Sequence, residues 1–456
     1  MKKLKLIAGS LFLSAFLFTA CDGLLDTTPK QSIDANEALT NAENVKSVLV
    51  GAYDAMGDDD LYGGWYLMMP DFLAADDEFD FSGTFFGPRQ IWLKQQLYDN
   101  GQSTATWIAA YDALNIANSA LAGLDLLEGS ERDRVEGEAK FIRGMIYFDL
   151  VRLYADPYQS GATNSQAGIP LVLTPTTSID ESSNIARNSV EEVYTQILSD
   201  LNDAKSLLPD VNPVRSYYAN SMVASAVLSR IYLQMEDYDN ARIEADRVIS
   251  SGNYSLTDTY ADAFNNVENS TEDIYSMQVS AQDGANSMFT FYSADSRGDI
   301  DINQAHVDEY EANDDRLNLF YTDPSDGVLR SGKWNDGVNG NVQQIRLAEM
   351  YLTRAEGNIR EGGTPVGAAP IDDLNEVRDR VNLPLFVTPP TVADILQERK
   401  LELMFEGQLL HDIKRTQGTV GARSYDDPKL VLPIPRREID ANPNLCQNAS
   451  YTGPTC

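Results

Sequence analysis

Residues 219–252 read ANSMVASAVLSRIYLQMEDYDNARIEADRVISSG, and their pattern decides the fold. The spacing predicts a first helix from Asn220 to Met235. Met222, Val223, Ala226, Val227, Leu228, Ile231 and Tyr232 make it apolar on most sides. A helix of that kind has to be buried. Glu236-Asp237 breaks it, and Asp237 is placed to cap the next helix by accepting a backbone N–H bond. That second helix carries Tyr238, Ala241, Ala245 and Val248 on one face, and Gly252 follows as a left-handed stop.

A large aromatic on one helix over small alanines on the next is how a tetratricopeptide-type hairpin closes. Leu228, Ser229, Tyr232 and Ala241 fall at the offsets of that repeat. Arg143-Gly144 with Tyr147, and Leu347-Ala348 with Tyr351, repeat the small-then-aromatic order. One hairpin cannot bury its own apolar face, so several must stack.

The chain has 456 residues, 43% hydrophobic and 23% charged, enough for a substantial core. Residues 1–20 read as a secretory signal: Lys2, Lys3 and Lys5, then an apolar run from Leu6 to Phe18, too short to span a membrane. Thr19-Ala20-Cys21 resembles the lipobox of bacterial lipoproteins, although Phe18 stands where that motif prefers Leu. The resemblance implies cleavage before Cys21 and lipidation of its thiol. Acyl chains would tether the protein, each buried methylene contributing about 0.8 kcal/mol. Residues 21–35 then form the tether, and 36–456 a single domain. Cys446 and Cys456 remain, a pair expected to form a disulfide in an extracytoplasmic protein.

The net charge is −34, and only 12 of the 35 basic residues are Lys. Nucleic acid is excluded as a partner because no basic face is visible. An acidic, lysine-poor surface fits a high-salt medium or an ordinary soluble surface, and composition does not separate the two.

Helices are expected at Asn36–Met56, Trp107–Leu121, Glu131–Tyr154, Val190–Leu208, Val342–Arg360, Ile371–Arg380 and Val392–Lys414. Two stretches, 57–94 and 254–341, show no sustained helical period. They are rich in Gly, Asp and aromatics, with a short β-like run at Ile274–Val279. Loops this long inside a compact domain are usually functional.

The blocks taken in order resemble the SusD/RagB family of outer-membrane nutrient-binding lipoproteins. They are Cys21-Asp-Gly-Leu-Leu-Asp26 with Pro29, and Trp107…Tyr111…Leu114-Asn115…Asn118. Glu138-Ala-Lys-Phe-Ile-Arg143-Gly-Met-Ile-Tyr147 with Tyr154-Ala-Asp-Pro157 follows. Arg346-Leu-Ala-Glu349, Leu374-Asn-Glu-Val-Arg378-Asp-Arg380, Glu398…Glu402…Glu406-Gly…Asp412…Arg415 and Leu432-Pro-Ile-Pro435 complete the match. The resemblance implies a mainly α fold of tetratricopeptide-like pairs with an irregular, loop-rich subdomain containing little β. It implies a cell-surface lipoprotein, held in outer-membrane lipid, that passes an oligosaccharide or polysaccharide to a SusC-like TonB-dependent transporter. Peptide is the alternative cargo. Arg143, Glu349, Arg378, Glu402 and Arg415 are expected to be packing or ion-pair residues.

Sugars offer C–H faces to aromatic rings and hydroxyl rims to polar groups. The expected contacts, drawn from the irregular stretches, are Trp65, Phe85, Phe86, Arg89, Trp92, Tyr292 and Trp334. No cofactor is expected. Asp299, Asp301 and Asn303 alternate as in a calcium loop, but Gln304 and Tyr310 replace the glycine and glutamate such a loop needs. Asp76, Asp77, Glu78 and Asp80 could hold calcium or be exposed charge. Catalysis has no motif behind it: the histidines, His306 and His411, lie far apart, and 69 acidic residues make carboxylate pairs uninformative.

Overall fold

The computed structural model describes residues 39–215, 217–280, 285–336 and 340–456. The signal, Cys21 and the tether lie outside them. The helices are α1 (Ala42–Met56), α2 (Trp65–Ala74), α3 (Phe86–Trp92), α4 (Gly101–Ala122), α5 (Gly129–Tyr154), α6 (Val190–Leu207), α7 (Ser221–Gln234), α8 (Tyr238–Ser250), α9 (Ser287–Tyr292), α10 (Gln304–Val307), α11 (Leu347–Glu361), α12 (Pro370–Arg380), α13 (Val392–Glu402), α14 (Leu409–Arg415) and α15 (Arg436–Ala441). The fold is mainly α. Its strands pair only as two-stranded antiparallel sheets: β1 (Phe79–Phe81) with β3 (Ile300–Ile302), β2 (Asp273–Met277) with β6 (Val342–Arg346), β4 (Phe320–Thr322) with β5 (Leu329–Ser331), and β7 (Thr419–Val420) with β8 (Arg423–Ser424).

The hairpin that opened the sequence forms as its residues dictate. Asn220 caps α7 by accepting from the N–H groups of Met222 and Val223, both at 2.9 Å. Glu236 turns the chain at φ 60°. Asp237 then caps α8 through the Asn240 N–H at 3.2 Å, and Gly252 stops it at φ 68°. Ala241, Ala245 and Val248 are buried.

From α4 to α8 each helix packs against the one before, α1 packs on α4, and α11 continues the row from α8 to α12. Glycines permit the closest approaches. A Cβ on Gly144 would meet Leu201 Cγ at 2.9 Å, and one on Gly357 would meet the Tyr238 carbonyl oxygen at 2.8 Å. From Phe141 onward α5 is buried on every side and forms the centre of the frame.

The structure departs from the sequence reading in three places. Residues 57–94 hold two helices, α2 and α3. All ten residues of α2 are buried, so it has no polar face and no period to read. Val342–Arg346 is strand, because it pairs with β2. The span 392–414 is two helices, separated by a turn with Phe405 at φ 65° and Gly407 at φ 73°.

A seam of buried charge joins frame and irregular subdomain. Arg346 binds Glu406 at 2.8 Å and Glu402 at 3.2 Å, and also Glu272. Arg380 bridges Glu272 and Glu402. Arg316 binds Glu398 at 2.7 Å. Arg143 with Asp200, Arg230 with Glu349 and Arg415 with Glu356 are further buried pairs. Buried charges persist only when paired, so these family-block residues are structural. Cys446 and Cys456 form a disulfide. The tail is also pinned by Asn448, whose side chain donates to the carbonyls of Tyr154 and Leu432.

Candidate functional site

Trp65, Tyr292 and Trp334 are not surface rings, which corrects the expectation that they contact ligand. Trp65 is 4% exposed, edge-on to Phe72 and Phe291. Tyr292 is fully buried, its hydroxyl 3.5 Å from Asp71. Trp334 is 4% exposed and donates its indole N–H to the Phe405 carbonyl at 3.1 Å. An aromatic with a polar tip is buried where that tip finds a partner. The turn at Phe405–Gly407 provides them: the Phe405 carbonyl serves Trp334, and the Gly407 N–H donates to Asp71 at 3.1 Å. Burial drives the Asp71 carboxyl well above the usual range. Trp92 is half-buried and donates to the Phe79 carbonyl at 3.3 Å.

The other three predicted residues form an exposed ridge. Phe85 is 48% and Phe86 73% exposed, and Arg89 is exposed one turn further along α3. Arg297 lays its guanidinium 4.0 Å from the centre of the Phe85 ring, and Asp299 holds it there at 2.7 Å. Asp299 and Asp301 flank and occupy β3, a strand and not a calcium loop. Asp301 pairs with Arg330. Glu78 pairs with Lys400 at 3.1 Å, while Asp76, Asp77 and Asp80 are exposed. Among the described residues no group of three or more His, Cys, Asp or Glu side chains is arranged to hold a metal.

One concavity with stacked aromatic walls was missed by sequence reasoning. A pocket of about 440 Å³ opens where the end of α1, the loop before α7 and the edge of β2 meet. Tyr53 and Tyr218 stack in parallel, centroids 4.2 Å apart and planes 4° apart. Tyr217 stands edge-on to Tyr218 at 5.2 Å. The Tyr53 hydroxyl accepts from the Ala219 N–H at 3.0 Å, which fixes the stack on the hairpin. Tyr275, buried, is a further aromatic of the lining. The polar lining is Asp54, Asp58, Asp59, Ser276, Gln278 and Asn286.

The loop 57–64 is packed too tightly for side chains at two points. A Cβ on Gly63 would lie 2.5 Å from the Gly57 carbonyl oxygen. Gly64, at φ 156°, lies against Ser287. The Ser287 N–H donates to the Gly63 carbonyl at 3.0 Å, so this loop is tied to the start of α9. Partial desolvation, with Asp58 and Asp60 close by, pushes the Asp59 carboxyl up to about 6. Asn286 caps α9 through the Phe289 N–H at 2.8 Å and donates to the Gly340 carbonyl at 3.1 Å. The sequence signal for this pocket was the Tyr217-Tyr218 doublet, a pair of rings in a polar loop between two helices.

The pocket is open, aromatic and polar-rimmed, and it sits on the helical frame. Two family models match in tandem: one described as "Starch-binding associating with outer membrane" over residues 25–233, and the SusD family model over residues 234–451. The chain belongs to the SusD/RagB family. It is 26% identical over 424 residues to SusD-like protein P2 of Formosa agariphila, covering 77% of this chain and 81% of that one. A crystal structure from Bacteroides vulgatus matches with a TM-score of 0.82 at 26% identity, covering 91% of this chain and all of the other. A laminarin binding SusD-like protein matches in fold with a TM-score of 0.75 at 22% identity, over 90% of this chain and 100% of that one. No helix among the described residues is long and apolar enough to cross a membrane.

Proposed function

We propose that this protein captures an oligosaccharide or polysaccharide in the tyrosine pocket and delivers it to a SusC-like TonB-dependent transporter. The observation that carries this reading is the Tyr53–Tyr218 stack with Tyr217 at the wall of an open pocket rimmed by carboxylate and amide groups. Tyrosine faces suit sugar C–H faces, and the rim suits hydroxyls. The family's description as starch-binding and outer-membrane-associated, and the laminarin-binding neighbour, support the same cargo class. Phe85, Phe86 and Arg89 would extend the contact for longer chains. Residues 36–456 act as one domain, with tetratricopeptide-like pairs as its frame. Cys21 carries the lipid that holds it at the outer membrane. The role is binding, without catalysis and without a cofactor.

The test is native affinity electrophoresis through gels containing single polysaccharides. Retardation by one polymer class, lost in Tyr218→Ala, is the expected result. Migration unchanged in every gel would overturn the glycan reading and move the cargo to peptide.

A further inference from the structure

We propose that the tyrosine pocket takes neutral glycan and rejects uronate-containing or sulfated chains, a specificity that rests on this pocket being the binding site. Its charged lining is Asp54, Asp58 and Asp59, and no Lys or Arg lies among the described residues that line it. The cations that act on Tyr218, Arg134 and Arg215, lie outside the lining. Arg134 is bound to Glu138 at 2.6 Å. Arg215 is exposed, its guanidinium bonded to the Val214 carbonyl at 3.2 Å.

A carboxylate or sulfate on the sugar would enter among three aspartates with no cation among the described lining residues to meet it, and like charges brought together at a site are strongly disfavoured. A neutral sugar has the opposite relation to the same groups. Its hydroxyls donate to carboxylate oxygens, and hydrogen bonds to an ionised acceptor are stronger than neutral ones. The amides of Gln278 and Asn286 are held by bonds inside the protein, which leaves the carboxylates as the acceptors a sugar meets. Arg89 and Arg297 lie elsewhere, on the phenylalanine ridge, with Arg297 paired to Asp299. An anionic chain therefore has a different place to bind, and the two sites can be told apart by substitution.

The experiment is titration calorimetry of the full chain with matched pairs that differ only in charge: laminarin and sulfated laminarin, dextran and dextran sulfate, methyl-esterified and de-esterified oligogalacturonan. The expected result is a neutral member bound about tenfold or more tighter than its charged partner at low salt. That gap should close toward about 1 M salt, where screening acts over about 3 Å. It should also narrow in the Asp54→Asn, Asp58→Asn double variant.

A charged member bound as tightly as its neutral partner overturns the proposal, as does a protein that binds no neutral member. Tyr218→Ala separates the two levels. If it abolishes binding of a charged chain, the pocket is the site but its charge rule fails. If it leaves neutral binding intact, the pocket itself is not the site. Loss of anionic binding in Arg89→Ala, with Tyr218→Ala unaffected, would assign that chain to the ridge.

Discussion

The protein has a closed aromatic cluster and an open one. On the closed side Trp65, Tyr292 and Trp334 lie against Phe72, Phe291 and Phe405, and the polar tips of Tyr292 and Trp334 meet partners inside the protein. On the open side Tyr53, Tyr217 and Tyr218 present rings to a pocket, and Phe85 and Phe86 to solvent. Residue type does not separate the two groups. What separates them is how much of the chain is packed over the ring. The Phe405–Gly407 turn covers Trp334 and holds Asp71 beside Tyr292, whereas the hairpin holds Tyr53 by the Ala219 N–H and leaves its stack accessible.

The sharpest break of this comparison is Trp334→Ala. It should cost about 3–5 kcal/mol of stability, read as a fall in the denaturation midpoint, with ligand affinity of the folded protein unchanged. A loss of affinity without loss of stability would place Trp334 on the wrong side of the divide.

Tyr218→Ala should do the reverse. Glycan affinity should fall about 10- to 100-fold, an aromatic stacking contribution of about 1–3 kcal/mol. Stability should fall by about 1 kcal/mol, from loss of the stack on Tyr53. Calorimetry and denaturation on one preparation measure both.

Acid–base behaviour sharpens the closed side further. Asp273, on β2, is buried, and that burial lifts its carboxyl from 3.8 to about 7. The folded state therefore holds this proton more tightly than the unfolded state. The stability it contributes is complete below pH 3.8 and is lost as pH rises through 7. Between pH 8 and 6 the native protein should gain about 1 kcal/mol relative to Asp273→Asn. Parallel pH curves for the two proteins would show that Asp273 does not titrate in this window.

The smallest effect is expected at the most exposed ring. Phe86→Ser should leave stability within about 0.5 kcal/mol. It should weaken long glycans severalfold and leave short ones unaffected, if the ridge extends the pocket's contact. Equal affinity for all lengths would confine recognition to the tyrosines.

Much of this was legible in the sequence because it depends on neighbours along the chain. Asp237 capped α8 and Gly252 ended it, as near-range hydrogen bonding and backbone freedom require. The helix expected at Val190–Leu208 was equally local, and it forms as α6 over Val190–Leu207. Ion-pair roles for Arg143, Glu349, Arg378, Glu402 and Arg415 followed from the family blocks. Helix α2 was hidden because burial on every side erases periodicity. Val342–Arg346 looked helical because its strand partner lies about seventy positions earlier in the chain.

The sequence alone therefore determined the helical frame, its caps and breaks, the acidic character and the aromatic-rich stretches that interrupt it. Those features depend on interactions within a few turns of chain. Only the tertiary structure decided which aromatics are open. Tyr53 and Tyr218 are far apart in sequence and meet because α1 packs beside the start of α7. Trp334 is closed because a turn some seventy residues later presents its carbonyl. Exposure of a ring depends on what the rest of the chain places over it, and no local pattern encodes that.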